Sequence, residues 1–137
     1  MAQYELKVDT GAVVIPIIDD KDNEMIGSFK FNPNDLDIVK RYPEVVKRLE
    51  NINLPEDKDT EAVLNVSDEV KELMDYLLNY KVSDEIFAKC NPFTLTSNGM
   101  FFVENVMDGI ASIIEQVTGE RIKRKQKKIA EATKGYR

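Results

Sequence analysis

Gly27-Ser28-Phe29-Lys30-Phe31-Asn32-Pro33-Asn34-Asp35 is the stretch in which the chain changes its period. Up to Phe31 the residues alternate. Gly27, Phe29 and Phe31 fall on one side of an extended chain and Ser28 and Lys30 on the other, the two-residue period of a strand with one buried face. Beyond Pro33, apolar residues recur at Leu36, Val39, Tyr42, Val46, Leu49 and Ile52 in steps of three and four, the period of an amphipathic helix. Asn34 or Asp35 is placed to cap that helix by accepting from its unpaired N–H groups. A strand that runs into a helix across an Asn-Pro turn sets the fold class as α+β.

Working upstream, Val13-Val14-Ile15-Pro16-Ile17-Ile18 is a β-branched run. Pro16 cannot donate to a ladder, so this strand is expected at an edge or interrupted there. Tyr4, Leu6 and Val8 alternate with polar residues, as a half-buried strand would, and Thr10-Gly11 offers a turn. The polar segment 19–24 reads as the turn joining the second and third of these segments. The N-terminal third is therefore expected to form an antiparallel hairpin or three-stranded meander whose apolar face needs a cover.

Downstream, Pro43 predicts a kink, or the end of one short helix and the start of another. Residues 53–59, with Pro55 among acids and a lysine, read as a surface loop. Val63, Val66, Val70, Leu73, Met74, Leu77 and Tyr80 form one stripe of a longer helix. Ser83-Asp84-Glu85 can start a short helix reaching Lys89, and residues 91–99 form a loop that holds Pro92 and the turn-prone Ser97-Asn98-Gly99. The last helix carries a seam at Val103, Val106, Ile110, Ile113 and Val117, widened by Phe102, Met107 and Ile114. Adjacent Phe101 and Phe102 predict burial on more than one side near its start. The outline is a small β unit followed by four to five helices. One domain spans 1–120, and a helical or frayed tail begins beyond Gly119 at 121–137.

Charge is distributed unevenly. Eight basic side chains and one acid give residues 121–137 a charge of +7, so residues 1–120 carry −13 within a chain of −6. An acidic body with a basic tail points to a partner. The basic residues Arg121, Lys123, Arg124, Lys125, Lys127 and Lys128 are the candidate partner-binding set. A solvated terminus that keeps the chain soluble is one alternative use of such a run; a nucleic-acid contact is another, but only Tyr136 could stack on a base and the acidic body would repel phosphate.

Chemistry is sparse by comparison. The chain has no histidine, which removes the usual neutral-pH general base and every His-dependent triad. Cys90 is the sole cysteine, so no internal disulfide can form and Cys90 reads as a small packed hydrophobe. Asp20-Lys21-Asp22-Asn23-Glu24 opens like a calcium loop, but Met25 stands where the loop needs glycine and Phe31 where it needs glutamate. Asp19/Asp20 and Asp68/Glu69 are adjacent acids with no nucleophile beside them. No Gly-rich nucleotide motif occurs. The expectation is a non-enzymatic protein without cofactor or metal. The start of the chain does not resemble a secretory signal, and the apolar run at 12–18 is too short to span a bilayer, which places the expected site in the cytoplasm.

Two stretches together resemble a known family. Val14-Ile15-Pro16-Ile17, then the Gly27 to Asp35 stretch, then Lys40-Arg41-Tyr42 are similar to the N-terminal half of small tail assembly chaperones of phages and phage-like elements of Gram-positive bacteria. Asn91-Pro92-Phe93, the following Gly99-Met100-Phe101-Phe102-Val103-Glu104 and the lysine-rich tail ending near Tyr136 extend the resemblance over most of the chain. It implies a non-enzymatic helper in the bacterial host cytoplasm that binds the tape measure protein and tail tube subunits during tail morphogenesis. It supplies no catalytic residue to carry over. The seam of the last helix can also be shared with a second copy, and no membrane partner is expected.

Overall fold

The structure, a computed structural model, describes residues 3–52 and 60–134, with side chains described as far as Gly119. Strands β1 (Val13–Ile18) and β2 (Met25–Phe31) are followed by helices α1 (Ile38–Glu50), α2 (Thr60–Leu78), α3 (Ser83–Ile86) and α4 (Phe102–Lys134). The α+β class expected from the change of period is the class observed.

β1 and β2 pair antiparallel, with Val13 opposite Phe31, Ile15 opposite Phe29 and Ile17 opposite Gly27. Ile15 and Ile17 pack with Phe29 and Phe31 on the covered face. The connection at 19–24 is a tight turn: the Asp19 N–H donates to the Glu24 carbonyl at 2.9 Å, and Asn23 takes a left-handed φ of 58°. The sheet has two strands, so the three-stranded alternative fails. Tyr4, Leu6 and Val8 lie in an extended arm outside any ladder and are exposed. Their alternation is a strand pattern with no strand to pair with. The arm joins β1 through Gly11, whose φ of 82° favours glycine, and the Asn32 side-chain amide donates to the Thr10 carbonyl at 2.6 Å.

The turn into α1 differs from the expected cap. Asp37 occupies the cap position without a side-chain hydrogen bond to the helix. Asp35 instead accepts from the Asp37 N–H at 2.9 Å and from the Arg41 guanidinium at 2.5 Å. Because the helix starts only at Ile38, Leu36 precedes it, and both Leu36 and Val39 are exposed, not part of the core stripe. Pro43 sits inside one continuous helix, not between two. It and Val39 both lie on the exposed side, where water can satisfy the carbonyl that proline leaves without a donor.

α2 buries Ser67, Val70, Leu73, Met74, Leu77 and Leu78. Asn79, with φ 62°, ends it. The expected 53–59 loop lies outside the described residues. α3 is one turn and stops at Ile86, short of Lys89, because Phe87 has already left helical geometry to enter the core. Its start is held by Asp75 of α2. One carboxylate oxygen accepts from the Val82 and Ser83 N–H groups, each at 2.8 Å, and the other from the Ser83 hydroxyl at 3.0 Å. β2 rests on this turn so closely that a Cβ at Gly27 would lie 2.8 Å from the Glu85 carbonyl oxygen.

The 91–101 loop is hydrogen-bonded throughout, with a bridge between Leu95 and Phe101 and a left-handed Gly99 at φ 83°. α4 begins where the Glu104 carboxylate accepts from the Phe101 N–H at 3.1 Å. Phe101 packs edge-on against Phe93 and Phe102 against Phe87, so the helix is covered on two sides at its start. Val103, Met107 and Ile110 are its fully buried seam, with Val106, Ile113 and Ile114 half-buried beside them. The helix passes through Gly119 without a break. Its 33 residues make it about 50 Å long at the standard rise. Among the described side chains its core contacts end at Ile114.

Two substitutions test this packing. Asp75→Ala leaves two N–H donors and a buried hydroxyl without their shared acceptor and is expected to cost about 2 kcal/mol. Gly27→Ala is expected to cost about 1–3 kcal/mol, because backbone must move to admit the methyl group. Urea unfolding of each variant measures both.

Candidate partner-binding surface

α1 is placed by two consecutive side chains that point in different directions. Arg41 reaches α2, donating to the Leu77 carbonyl at 3.0 Å while it pairs with Asp35. That carbonyl belongs to the last turn of α2, where acceptors lack helical partners and positive charge is favoured. The Arg41 hydrogen bond is the chief reason that the Asp35 carboxyl sits below its ordinary pKa, against the opposing effect of burial. Tyr42 reaches α4, its hydroxyl donating to the Met107 carbonyl at 3.3 Å.

Tyr42 stands in a groove between α1 and α4. A cleft of about 460 Å³ on one side is lined by Val46, Leu49, Phe93, Phe101 and Met107 among others. A smaller one of about 270 Å³ on the other side is lined by Ile38, Val39, Pro43, Ala111 and Ile114. The pairing of early α1 with later α4, and of late α1 with early α4, shows that the two helices run antiparallel. The floor is apolar and the charged lining is of one sign. Glu50, Glu104 and Asp108 border the larger cleft, Glu115 borders the smaller, and among the described residues no lysine or arginine lines either. Glu104, Asp108 and Glu115 stand at steps of four and seven, which puts them on one face of α4. The Tyr42 hydroxyl registers this field: burial raises its pKa most, and the charges of Asp108 and Glu115 raise it further.

Exposed apolar side chains are also frequent in the N-terminal part of the chain. Tyr4, Leu6 and Val8 are 85%, 89% and 67% exposed, and Val14, Ile18 and Met25 of the hairpin are exposed as well. These six residues come from the first 25 of the chain. Isolated exposed apolar residues are ordinary, and it is their concentration in this part of the chain that makes it a candidate contact region.

Arg121, Lys123, Arg124, Lys125, Lys127 and Lys128 fall on the helical backbone of α4, and their side chains lie outside the described residues. They are carried by the same helix that supplies one wall of the groove. The acidic face at Glu104, Asp108 and Glu115 escaped the sequence reading, which weighed acids next to one another and not acids one helical turn apart. Cys90 is a free, partly buried thiol. Among the described residues, no three His, Cys, Asp or Glu side chains group to hold a metal ion, and no helix is long and apolar enough to cross a membrane.

Comparison with protein-family models, curated proteins and solved structures returns no match for this chain.

The groove carries a pH signature. In the unfolded chain Tyr42 ionises near the usual tyrosine value of about 10, and in the folded protein it ionises later. Its contribution to stability is therefore complete below the ordinary value and is lost as pH rises toward the raised one. The stability advantage of the wild-type chain over Tyr42→Phe is expected to shrink above about pH 10. Phenolate absorbance is expected to place the Tyr42 midpoint lower in the Asp108→Asn/Glu115→Gln variant than in the wild-type chain.

Proposed function

We propose that this protein is a non-enzymatic tail assembly chaperone of a phage or phage-like element of Gram-positive bacteria. It shields a long helical tape measure protein in the host cytoplasm and meets tail tube subunits during assembly. The observation that carries this reading is the concentration of exposed apolar side chains on the arm and the hairpin, Tyr4, Leu6 and Val8 above all. Such a surface costs solubility unless it is covered, and covering apolar segments of another chain is what an assembly chaperone does. The resemblance of Gly27 to Asp35 and of Asn91-Pro92-Phe93 with Gly99 to Glu104 to that family supports it.

The charge split supports the same reading. Contacts steered by charge form quickly and are released readily when they are not deeply buried, which suits a partner that must leave before the particle is complete. An arm with alternating Tyr4, Leu6 and Val8 has the pattern of a strand that pairs with a client edge.

Co-expression with a tape measure protein encoded beside it is the test. The two proteins are expected to co-purify at low salt, and Leu6→Asp is expected to reduce recovery of the complex by about tenfold. Absence of co-purification with the wild-type chain contradicts the proposal.

A further inference from the structure

We infer that the α1–α4 groove receives the basic C-terminal half of α4 from a second copy of the same chain, so that two copies exchange these segments in a closed antiparallel pair. The inference is independent of the chaperone reading, because it concerns this chain alone.

Charge complementarity identifies the occupant. Among the described residues the groove has an apolar floor, four acidic residues in its lining and no basic one. Lys40 and Lys47 of α1 are exposed, but neither lines the groove. Residues 121–134 are helical in backbone and contain seven basic residues and one acid. Within that segment Ile122 and Ile129 continue the seven-residue step from Asp108 and Glu115. A helix with that composition supplies both an apolar contact for the floor and cations for the rim.

The segment cannot serve its own groove. α4 is continuous, so residues after Gly119 are carried along the helix axis away from the acidic face. Lys128 lies about 20 Å beyond Glu115 along the helix. A second copy meets no such obstacle. The lengths also agree: the acidic face from Glu104 to Glu115 covers about 17 Å and residues 121–134 about 20 Å.

The arrangement has a natural two-fold centre at Gly119. Glu115 lies four residues before it and Lys123 four after; Glu104 lies fifteen before and Lys134 fifteen after. Asp108 falls opposite the stretch just beyond Lys127 and Lys128. Antiparallel apposition therefore sets acid against base at both ends at once, and the same patch serves both copies, which closes the assembly as a dimer and not a fibre. A Cβ at Gly119 would meet nothing within 4 Å, so the crossing point is open to a neighbour. The exposed Val39 at the groove's end is covered by the incoming helix.

Sedimentation velocity of the full chain across concentration and salt tests the inference. The expected result is a dimer whose dissociation constant rises by about tenfold or more as salt is raised. Asp108→Lys/Glu115→Lys and, separately, Lys123→Glu/Lys127→Glu are each expected to give a folded monomer over the same range. The variant carrying all four changes is expected to recover the dimer. A wild-type chain that is monomeric at every concentration and salt overturns the inference. So does a dimer indifferent to salt, or a four-fold variant that stays monomeric.

Discussion

The position of α1 rests on the Arg41 guanidinium. It is bonded at once to the Asp35 carboxylate in the turn after β2 and to the Leu77 carbonyl at the end of α2. The sheet-to-helix turn, the first helix and the C-terminus of the second are thus tied through one mostly buried cation. Removing either partner would leave a charge in a poorly hydrated place, which makes the pair costly to break. The same constraint gives the molecule its groove. With Arg41 holding α1 against α2, Tyr42 crosses to α4 with a hydrogen bond, and clefts remain on both sides of it.

A two-stranded sheet is marginal by itself, so the hairpin depends on the helices beneath it. Phe29 and Phe31 enter the same core as Leu77, Val82 and Ile86, and the absence of a side chain at Gly27 lets β2 lie directly on the Glu85 carbonyl. Only one face of the hairpin is covered. β1 is apolar along its whole length, as strands buried on both faces are, yet Val14 and Ile18 face outward and exposed. The acidic groove and the exposed hairpin face are two surfaces that one copy of the chain leaves open to contact.

Much of this fold was legible in the sequence. Alternation at Gly27, Phe29 and Phe31, three- and four-residue steps through α2, and the seam of α4 correspond to observed elements because each has a partner surface that makes the pattern matter. The readings that failed did so where no such partner exists. Tyr4, Leu6 and Val8 alternate like a strand, but a strand is defined by its neighbour. Leu36 and Val39 fit a helical period and still face outward, because the Asp35 turn delays the helix. Pro43 did not split α1, since its lost hydrogen bond lies on the wet side. The candidate surface was legible only in part. The basic run was plain from composition, whereas the groove arises from two helices more than fifty residues apart in sequence, and the acidic face of α4 emerges only with helical spacing.

Reciprocal seating of one copy's basic helix in the other's acidic groove can be read by zero-length cross-linking of carboxylates to lysines in a mixture of isotopically light and heavy chains. Along a single helix Asp108 and Lys127 are about 28 Å apart, too far to be joined within one copy. The account predicts mixed light–heavy cross-links from Asp108 to Lys127 at low salt, fading as salt is raised. Cross-links confined to single copies, with Asp108 never joined to the basic end of α4, would contradict it.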